Sequence, residues 1–516
     1  MIKKNGLILL FAAIKFVLPF LVQHHDYDLH RDEFLYLAEG RHLAWGYMEV
    51  PPFLSVLAWI TNGLGGSFFW VKFWPALFGS LTFVVAAKIV QSLGGRAFAL
   101  LLLFLAFISG AYIRLFFLFQ PNFPEVFFYT VIAWGIVRYI QTGKNNWLYV
   151  TGIAAGLGLL SKYSVLFFII ALIPAILLTP RRRMFANKHL YFAALCGLLL
   201  FLPNIIWQYQ HNFPVLFHMR ELQETQLKFN SSGSFLVNQL LMNLATVFVW
   251  VSGLYALFFV KRYRPYLFFG VAYFILLALL IWFQGKAYYA LGIYPVLFAV
   301  GAVHLENLTF NKFIAWRIAM VALPLVMLYR LMPLMLPPMA PQPMAEYYAD
   351  RGVARYGALK WEDLQDHSLP QDFADMLGWQ QMAEKVSKLY HSLPPAEQKN
   401  TLIYAGNYGE AGALNHYRKQ FRLPETYSAN ATFLWWMKDV SDVKTVILIT
   451  DDPTAMNHPL IKQFGKINIA DSITTLHARE RGSLIALLQK PATGIMKAWQ
   501  EKIQKDKEQF TRDKPE

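Results

Sequence analysis

The stretch PYLFFGVAYFILLALLIWF, residues 265–283, contains no charged side chain over nineteen consecutive positions. A helix of roughly 20 such residues is long enough to cross the hydrocarbon core of a bilayer. Ten more apolar runs precede Leu336, at about 6–22, 68–91, 97–118, 123–140, 147–160, 164–180, 189–207, 235–260, 287–304 and 313–336. We therefore predict a mostly α-helical, polytopic membrane protein with about eleven transmembrane helices.

The composition of the 516-residue chain agrees with this prediction. It is 56% hydrophobic and 15% charged, with a mean hydropathy of +0.35, which lies far outside the range of soluble proteins. The formal net charge is +15, and the basic excess lies before residue 337, where 25 basic residues face 10 acidic ones. Lys and Arg in the loops of a membrane protein orient its helices. The charge therefore does not indicate a nucleic-acid partner.

The basic loops indicate an orientation in the membrane. Lys3 and Lys4 precede the first apolar run, which lacks a cleavage site of small residues, so we expect a retained anchor with a cytoplasmic N-terminus. Alternation of the runs then places the basic loops, such as those with Lys144 and Arg181–Arg183, in the cytoplasm. The eleventh run leads outward. We expect residues 337–516 in the periplasm, outside a bacterial cytoplasmic (inner) membrane.

The pattern changes after the proline-rich segment 333–343. An amphipathic helix is predicted at 373–393 and short buried strands at 402–405, 446–450 and 483–488. We predict two domains on this basis. The first is a transmembrane domain at 1–336, with its first outer loop at about 23–67, and the second is a soluble α/β domain at 337–516.

The acidic residues of the membrane part are few and clustered. Six of its ten carboxylates lie in the first outer loop, at Asp26, Asp28, Asp32, Glu33, Glu39 and Glu49. The predicted topology places Glu125 on the same side. Paired carboxylates can take a proton from a hydroxyl nucleophile or hold a divalent cation, so the cluster indicates an acid/base or metal site. A merely solvated loop is the alternative.

Several basic residues also fall on this outer side, where positive charge is not favoured. They are Arg31, Arg41, Arg114, Lys162 and Lys286. A lipid phosphate would explain them, because it bears negative charge at this depth and accepts charge-assisted hydrogen bonds from Lys and Arg. Snorkelling of individual side chains is the alternative. Together with the carboxylates, these cations favour a site for a phosphorylated lipid.

The first outer loop also carries a resemblance to a known family. The stretches RDEFLY (31–36), LAWGY (43–47) and PP (51–52) resemble the first periplasmic loop of bacterial glycosyltransferase family 39 proteins, the protein-mannosyltransferase-like branch of the GT-C fold. Further similar segments follow in order: FWPAL (73–77), Asn122 with Glu125, GLGLLSKY (156–163), PNIIW (203–207), GKAYY (285–289), YP (294–295), GW (378–379) and NYGEAGA (407–413). The resemblance covers nearly the whole chain and includes the lipid A aminoarabinose transferases.

The resemblance implies a GT-C fold and an inverting transferase. Such an enzyme takes a sugar from a polyprenyl-phosphate carrier at the periplasmic face and passes it to a hydroxyl of a lipid, glycan or protein acceptor. By the same resemblance, Asp32 is the expected general base and Glu33 its partner. The leaving phosphate is expected to be bound by Lys162, Lys286, Tyr288, Tyr289 and Arg31.

Further residues are expected to line the sugar or acceptor pocket, namely Trp45, Tyr47, Glu49, Asn122 and Glu125. No cofactor is certain, and a divalent metal ion, held by Asp32 and Glu125, stays an open alternative. Glu49 stands before Pro51-Pro52, where the aminoarabinose transferases are expected to have a lysine directly before the prolines. This departure speaks against aminoarabinose as the sugar.

Two other classes of function are compatible with a polytopic chain. A transporter or flippase of a lipid-linked saccharide would keep charges inside its spans and show related halves, whereas here the outer acids lie in loops and no repeat is visible. A membrane scaffold would not need the clustered carboxylates. A zinc site built from His24, His25, His30 and His42 with Asp32 matches no familiar ligand spacing.

Overall fold

The structure, a computed structural model, describes residues 2–225, 227–229, 231–310 and 313–511, without the side chains of residues 2–4 and 229. Lys3 and Lys4, which support the predicted orientation, therefore have no described side chains. The prediction of a mostly helical membrane fold is confirmed.

Fifteen helices of eight or more residues lie before Leu336 in the described chain. They are α1 (Ile2–Val22), α2 (Arg31–Glu39), α3 (Phe53–Gly63), α4 (Phe68–Ser92), α5 (Ala97–Ile108), α6 (Asn122–Thr142), α7 (Asn146–Ser161), α8 (Val165–Leu177), α9 (Lys188–Gln210), α10 (Pro214–Thr225), α11 (Ser232–Leu241), α12 (Val247–Phe259), α13 (Leu267–Trp282), α14 (Tyr294–Leu308) and α15 (Ile314–Met335). Segments of 3₁₀ helix at Lys261–Tyr266 and Ala287–Ile293 lead into α13 and α14.

Seven helical segments of the described chain are long and apolar enough to cross a membrane. They are Asn5–Val22, Phe68–Ser92, Asn122–Thr142, Lys188–Gln210, Lys261–Trp282, Ala287–Leu308 and Ile314–Met335. Two further pairs qualify only together: α8 with the 3₁₀ segment Pro180–Ala186, bent by 109°, and α11 with the helical stretch Leu244–Phe259, bent by 64°. Counting each bent pair as one span gives nine.

This number is lower than the eleven spans predicted from hydropathy, because two of the apolar runs form short helices. In the run at 97–118, α5 ends at Ile108 after 12 residues, and after a break only one further helical turn, Tyr112–Leu115, follows. The run at 147–160 corresponds to α7, which has 16 residues and ends where Lys162 adopts an extended conformation. Conversely, the predicted first outer loop contains the apolar helix α3.

Small residues allow close helix contacts inside the bundle. A Cβ on Gly156 of α7 would lie 2.5 Å from the carbonyl oxygen of Gly197 on α9, so the two backbones touch at this point. Such contacts between small residues are typical of helix pairs in membranes, where close van der Waals packing replaces the hydrophobic effect. The contact also places the C-terminal end of α7, which leads to Lys162, firmly within the bundle.

Residues 341–511, called the C-terminal region below, combine helices and one sheet. The helices of eight or more residues are α16 (Pro341–Asp350), α17 (Trp379–Ser392), α18 (Tyr408–Phe421) and α19 (Ile495–Glu508), and the strands are β1 (Thr401–Ala405), β2 (Thr426–Tyr427), β3 (Thr445–Thr450), β4 (Phe464–Ser472) and β5 (Leu484–Pro491). The sheet order is β2-β1-β3-β5-β4, with β2, β1 and β3 parallel and the other pairs antiparallel.

The three predicted strands correspond to β1, β3 and β5, whose inner residues are buried. The predicted helix at 373–393 is shorter than expected. It begins at Trp379, because Gly378 adopts a left-handed conformation with φ of 89° and interrupts the helix there.

The bundle and the C-terminal region share one hydrophobic core. Phe34 of α2 packs its ring edge-on against Trp379 of α17, with ring centroids 5.5 Å apart, and both side chains are fully buried together with Leu414 of α18. The division of the chain into two domains at residue 336 stays a prediction. Because α2 contributes Phe34 to this shared core, both parts of the molecule position the first loop.

Candidate active site at the junction of the bundle and the C-terminal region

The start of α2 directs three consecutive charged residues to different surroundings. Successive residues of an α-helix point roughly 100° apart, so Arg31, Asp32 and Glu33 cannot share one face. The helix start is fixed by a capping box: His30 Nδ1 accepts the N–H of Asp32 at 3.2 Å, and the Glu33 carboxylate accepts the N–H of His30 at 2.7 Å.

Glu33 is fully buried, and both of its carboxylate oxygens have hydrogen-bond partners. Both of its carboxylate oxygens lie 2.6 Å from Lys72 Nζ of α4, and the N–H of Phe119 donates to Oε1 at 2.6 Å. A buried carboxylate needs such a partner, because desolvation of an unpaired charge is costly. The pair holds α2 against the bundle and leaves Glu33 without solvent contact.

Asp32 occupies a different environment, with its side chain 32% exposed. Its carboxylate accepts two hydrogen bonds from opposite sides. Gln120 Nε2, from the segment before α6, donates to Oδ2 at 3.0 Å, and the Tyr408 hydroxyl, from α18, donates to Oδ1 at 2.8 Å. The carboxylate is therefore oriented, still partly exposed, and placed where the bundle meets the C-terminal region.

A line of hydrogen bonds leads from Asp32 to a buried lysine. Asn122 Nδ2 donates to Gln120 Oε1 at 3.3 Å, and Lys162 Nζ donates to Asn122 Oδ1 at 2.5 Å. Lys162 also lies 3.3 Å from Glu125 Oε2, in a largely buried ion pair. The structure thus joins Asp32, Asn122, Glu125 and Lys162, which are far apart in the sequence, in one polar network.

Aromatic rings and a second lysine complete the surroundings of Lys162. Its ammonium group lies 4.1 Å from the ring centre of Tyr289 and 5.0 Å from that of Tyr288, so both rings face the cation. Lys286 is near enough to act electrostatically on Lys162. The predicted phosphate-binding residues Lys162, Lys286, Tyr288 and Tyr289 therefore lie together.

Arg31, the fifth residue predicted to bind phosphate, is placed elsewhere. It is buried against α18, where its guanidinium lies 4.9 Å from the ring centre of Tyr408. It also acts electrostatically with Asp375 and Glu480 of the C-terminal region. Arg31 therefore belongs to the contact between the first loop and the C-terminal region.

The two aromatic residues predicted to line the pocket differ strongly in exposure. Trp45 is 56% exposed and is held by its carbonyl oxygen, which accepts from Asn204 Nδ2 at 2.7 Å. Tyr47 is fully buried, and its hydroxyl bonds to the backbone of Glu39, His42 and Ala44 within its own loop. Tyr47 thus stabilises the conformation of the loop. Of the two residues, only Trp45 has a side chain exposed enough to contact a ligand.

Glu49 contacts the C-terminal region rather than the Lys162 network. Its Oε1 accepts the N–H of Thr432 at 2.9 Å, and its Oε2 accepts the Thr432 hydroxyl. Burial raises the pKa of Glu49 to about 7, against the lowering effect of these hydrogen bonds. Its location makes it a second contact between the first loop and the C-terminal region.

Sequence reasoning did not identify Gln120, Tyr408 or Lys72 as part of this arrangement. Gln120 lies two residues before Asn122, on the predicted outer side, and this proximity was an available signal. Tyr408 lies in the NYGEAGA segment, which resembled the family without a known role. Lys72 lies inside an apolar run, where a single charged residue predicts a buried partner of opposite charge.

Two groups of side chains in the described chain are close enough to hold a metal ion, His24 with His25 and Asp26, and His30 with Asp372 and Asp375. Neither contains Asp32 or Glu125, the residues considered for a metal. In the second group, the Nδ1 of His30 already accepts the N–H of Asp32, so Nε2 carries the proton and cannot serve as a ligand in this state. This hydrogen bond therefore does not favour a metal there.

Comparisons with known proteins identify a similar family over part of the chain and a similar fold over most of it. A family model described as dolichyl-phosphate-mannose-protein mannosyltransferase matches residues 49–207, a range that contains Asn122, Glu125 and Lys162 but not Asp32. A search of curated proteins by sequence finds no match.

Two solved structures share the fold over nearly the whole chain. ArnT from Cupriavidus metallidurans bound to undecaprenyl phosphate has a TM-score of 0.62 at 13% identity, covering 93% of this chain and 98% of that chain. The same protein in the apo state has a TM-score of 0.58 with equal identity and coverage. The shared fold shows that this chain is a membrane protein of the GT-C fold, and its residues 49–207 are similar to the dolichyl-phosphate-mannose-protein mannosyltransferase family.

Proposed function

We propose that the protein transfers a sugar, with inversion, from a polyprenyl-phosphate carrier to an acceptor hydroxyl. The observation that carries the proposal is the hydrogen-bonded line from Asp32 through Gln120 and Asn122 to Lys162. It connects a partly exposed carboxylate, suited to accept a proton, with a cationic and aromatic group, suited to bind a phosphate.

In the proposed reaction, Asp32 takes the proton of the acceptor hydroxyl as the oxygen attacks the anomeric carbon. The bond between that carbon and the phosphate oxygen breaks on the opposite face of the sugar, and polyprenyl phosphate leaves with the bonding electrons. Lys162 and Lys286 offset the charge that develops on this phosphate, and Tyr288 and Tyr289 line the same place.

The other predicted site residues take supporting roles in this proposal. Glu33, bonded to Lys72, Phe119 and His30, positions Asp32 by holding the start of α2. Glu125 orients Lys162, and Asn122 links it to Gln120. We assign Arg31, Tyr47 and Glu49 to the junction with the C-terminal region, and Trp45 to its exposed rim.

We further propose that this junction faces the periplasm and that the protein resides in a bacterial cytoplasmic membrane. The basic loops support this orientation, since Lys144 follows the C-terminal end of α6 and Arg181–Arg183 follow that of α8, whereas Glu125 and Lys162 lie at or just before the N-terminal ends of these helices. The neighbouring ArnT structure, which contains undecaprenyl phosphate, supports a polyprenyl carrier. A lipid, a glycan and a protein are all compatible acceptors, and the sugar stays open.

The test is turnover of a panel of radiolabelled polyprenyl-phosphate sugars by the purified protein with a membrane extract as the acceptor source. We expect one donor to release polyprenyl phosphate, Asp32→Asn to lose at least about 100-fold in rate, and Asp26→Asn to behave as the parent protein. Asp26 is the matched control, because it is an acid of the same loop that pairs only with His24 and His25 among the described ion pairs. Equal rates for Asp32→Asn and the parent would refute the assignment of the base.

Absence of binding and turnover for every donor would refute the transferase proposal. It would favour transport of a lipid-linked saccharide, which a flipping assay with the same donors in proteoliposomes would then detect.

A further inference from the structure

The NYGEAGA segment at 407–413 begins α18 of the C-terminal region at a fixed point. Asn407 is the N-cap residue, and its Oδ1 accepts the N–H of Glu410 at 3.0 Å. The first residue of the helix is therefore Tyr408, whose position relative to the helix axis is set by this cap.

Two glycines of the segment bring α18 into direct contact with α2. A Cβ on Gly409 would lie 2.5 Å from Arg31 Cγ, and a Cβ on Gly412 would lie 2.8 Å from Phe34 Cβ and 2.9 Å from its backbone carbon. Residues three apart on a helix share a face, as do Arg31 and Phe34 on α2. Only glycine permits this approach, so the spacing of the two glycines in the segment has a structural cause.

The close approach places the Tyr408 hydroxyl on Asp32. The hydroxyl donates to Asp32 Oδ1 at 2.8 Å, while the ring lies beneath the guanidinium of Arg31. Burial raises the pKa of Tyr408 well above its usual value, and the negative charge of Asp32 raises it further. The hydroxyl therefore keeps its proton and acts as the donor. One oxygen of Asp32 is thus held from the C-terminal region and the other, through Gln120, from the bundle.

We propose that Tyr408 is a positioning residue of the active site, through which the C-terminal region completes the site by orienting the carboxylate of Asp32 toward the acceptor hydroxyl. This inference rests on the proposed transferase function. A base must be held in a productive geometry, because its reaction partner has to lie within hydrogen-bond reach and in line. The C-terminal region is accordingly a part of the catalytic machinery.

A matched control lies on the same helix. The Tyr417 hydroxyl donates to Asp28, another carboxylate of the same loop, and Tyr417, like Tyr408, is a half-buried tyrosine of α18. Tyr417→Phe removes a comparable hydrogen bond between α18 and the first loop without touching Asp32. Tyr408→Phe preserves the aromatic ring beside Arg31 and removes only the hydroxyl, so we expect both variants to fold.

The experiment compares steady-state kinetics of the full-length parent, Tyr408→Phe and Tyr417→Phe with the donor identified by the panel. For Tyr408→Phe we expect kcat to fall by about 10- to 100-fold, the range of one hydrogen bond to an ionised group, with KM for the donor within about twofold of the parent. Tyr417→Phe should retain the kcat of the parent. Equal kcat losses in both variants, or none in Tyr408→Phe, would overturn the proposal.

A second measurement needs no turnover and separates this inference from the proposed function. Infrared difference spectra of the parent minus Asp32→Asn isolate the carboxylate stretch of Asp32, which responds to hydrogen bonding. We expect this band to shift in the Tyr408→Phe background and to stay unchanged in the Tyr417→Phe background. An unchanged band in Tyr408→Phe would refute the contact itself, whereas a shifted band in a protein that transfers no sugar would refute the transferase function and with it the positioning role of Tyr408 in catalysis.

Discussion

At the scale of single residues, adjacent positions in the sequence have separate tasks. Asp32 and Glu33 are neighbours, but one is partly exposed beside Gln120 and Tyr408, and the other is buried against Lys72. The sequence could indicate an acidic cluster at a membrane surface. It could not distinguish the two carboxylates, because their difference arises from helix direction and from partners distant in the chain.

The ion pair of Glu33 with Lys72 gives a prediction about stability. Glu33→Gln leaves the Lys72 ammonium buried without its counter-charge, and breaking such a pair costs about 3–5 kcal/mol. We expect a clear fall in the melting temperature of the detergent-solubilised protein. The double variant Glu33→Gln/Lys72→Met should recover part of this loss, since neither charge is then buried alone. A double variant no more stable than Glu33→Gln would contradict the pairing.

Lys162 gives a prediction about binding. Lys162→Met removes the cation beside Tyr288 and Tyr289, and we expect the affinity for the polyprenyl-phosphate donor to fall by about 10- to 100-fold, the range of one charge-assisted hydrogen bond. Equilibrium binding of radiolabelled donor to reconstituted protein measures this change. Lys144→Met, which removes an exposed lysine of a loop, is the control and should bind as the parent. An unchanged affinity of Lys162→Met would remove Lys162 from the phosphate site.

At the scale of elements, hydropathy predicted the positions of the helices better than it predicted their lengths. Nearly every apolar run corresponds to helix, yet α5 and α7 are short because turns around Ser109 and an extended Lys162 interrupt them. Strands β1, β3 and β5 were also recognisable as short buried apolar runs. The contact of α2 with α18 was not predictable, since it joins residues more than 370 positions apart.

That contact gives a prediction about packing. Gly412→Ala adds a methyl group 2.9 Å from the backbone of Phe34, which cannot move aside as a flexible side chain would. We expect a loss of about 1–3 kcal/mol in the free energy of unfolding, as for other overpacked contacts, together with lower transfer activity. Gly233→Ala, at a helical glycine whose added methyl would meet open space, is the control and should be neutral or slightly stabilising. Equal effects of the two substitutions would contradict the close approach.

At the scale of the whole molecule, the first loop is the element shared by both parts. Its acids Asp28, Asp32 and Glu49 accept hydrogen bonds from Tyr417, Tyr408 and Thr432 of the C-terminal region. The fold class and the resemblance to a family were accessible from the sequence, because hydropathy and motifs are local. The junction was not, since it depends on how the C-terminal region packs against the bundle.

Glu49 gives a prediction about pH at this junction. Burial raises its pKa to about 7, above the usual value of 4.5, so the folded protein binds a proton there more tightly than the unfolded chain. This contribution to stability is present below about pH 4.5 and is lost as the pH rises through about 7. We expect the melting temperature of Glu49→Gln, relative to that of the parent, to rise between about pH 5 and 7 and to level off above. A difference independent of pH would contradict the buried position.

The measurement that tests the central claim most directly separates donor binding from transfer in a single-turnover experiment. Reconstituted parent, Asp32→Asn and Lys162→Met are each mixed with the radiolabelled donor, and bound donor and released polyprenyl phosphate are followed after addition of acceptor. The account predicts that Asp32→Asn binds donor like the parent but does not transfer the sugar, whereas Lys162→Met binds donor more weakly. Transfer by Asp32→Asn at the parental rate would contradict the account.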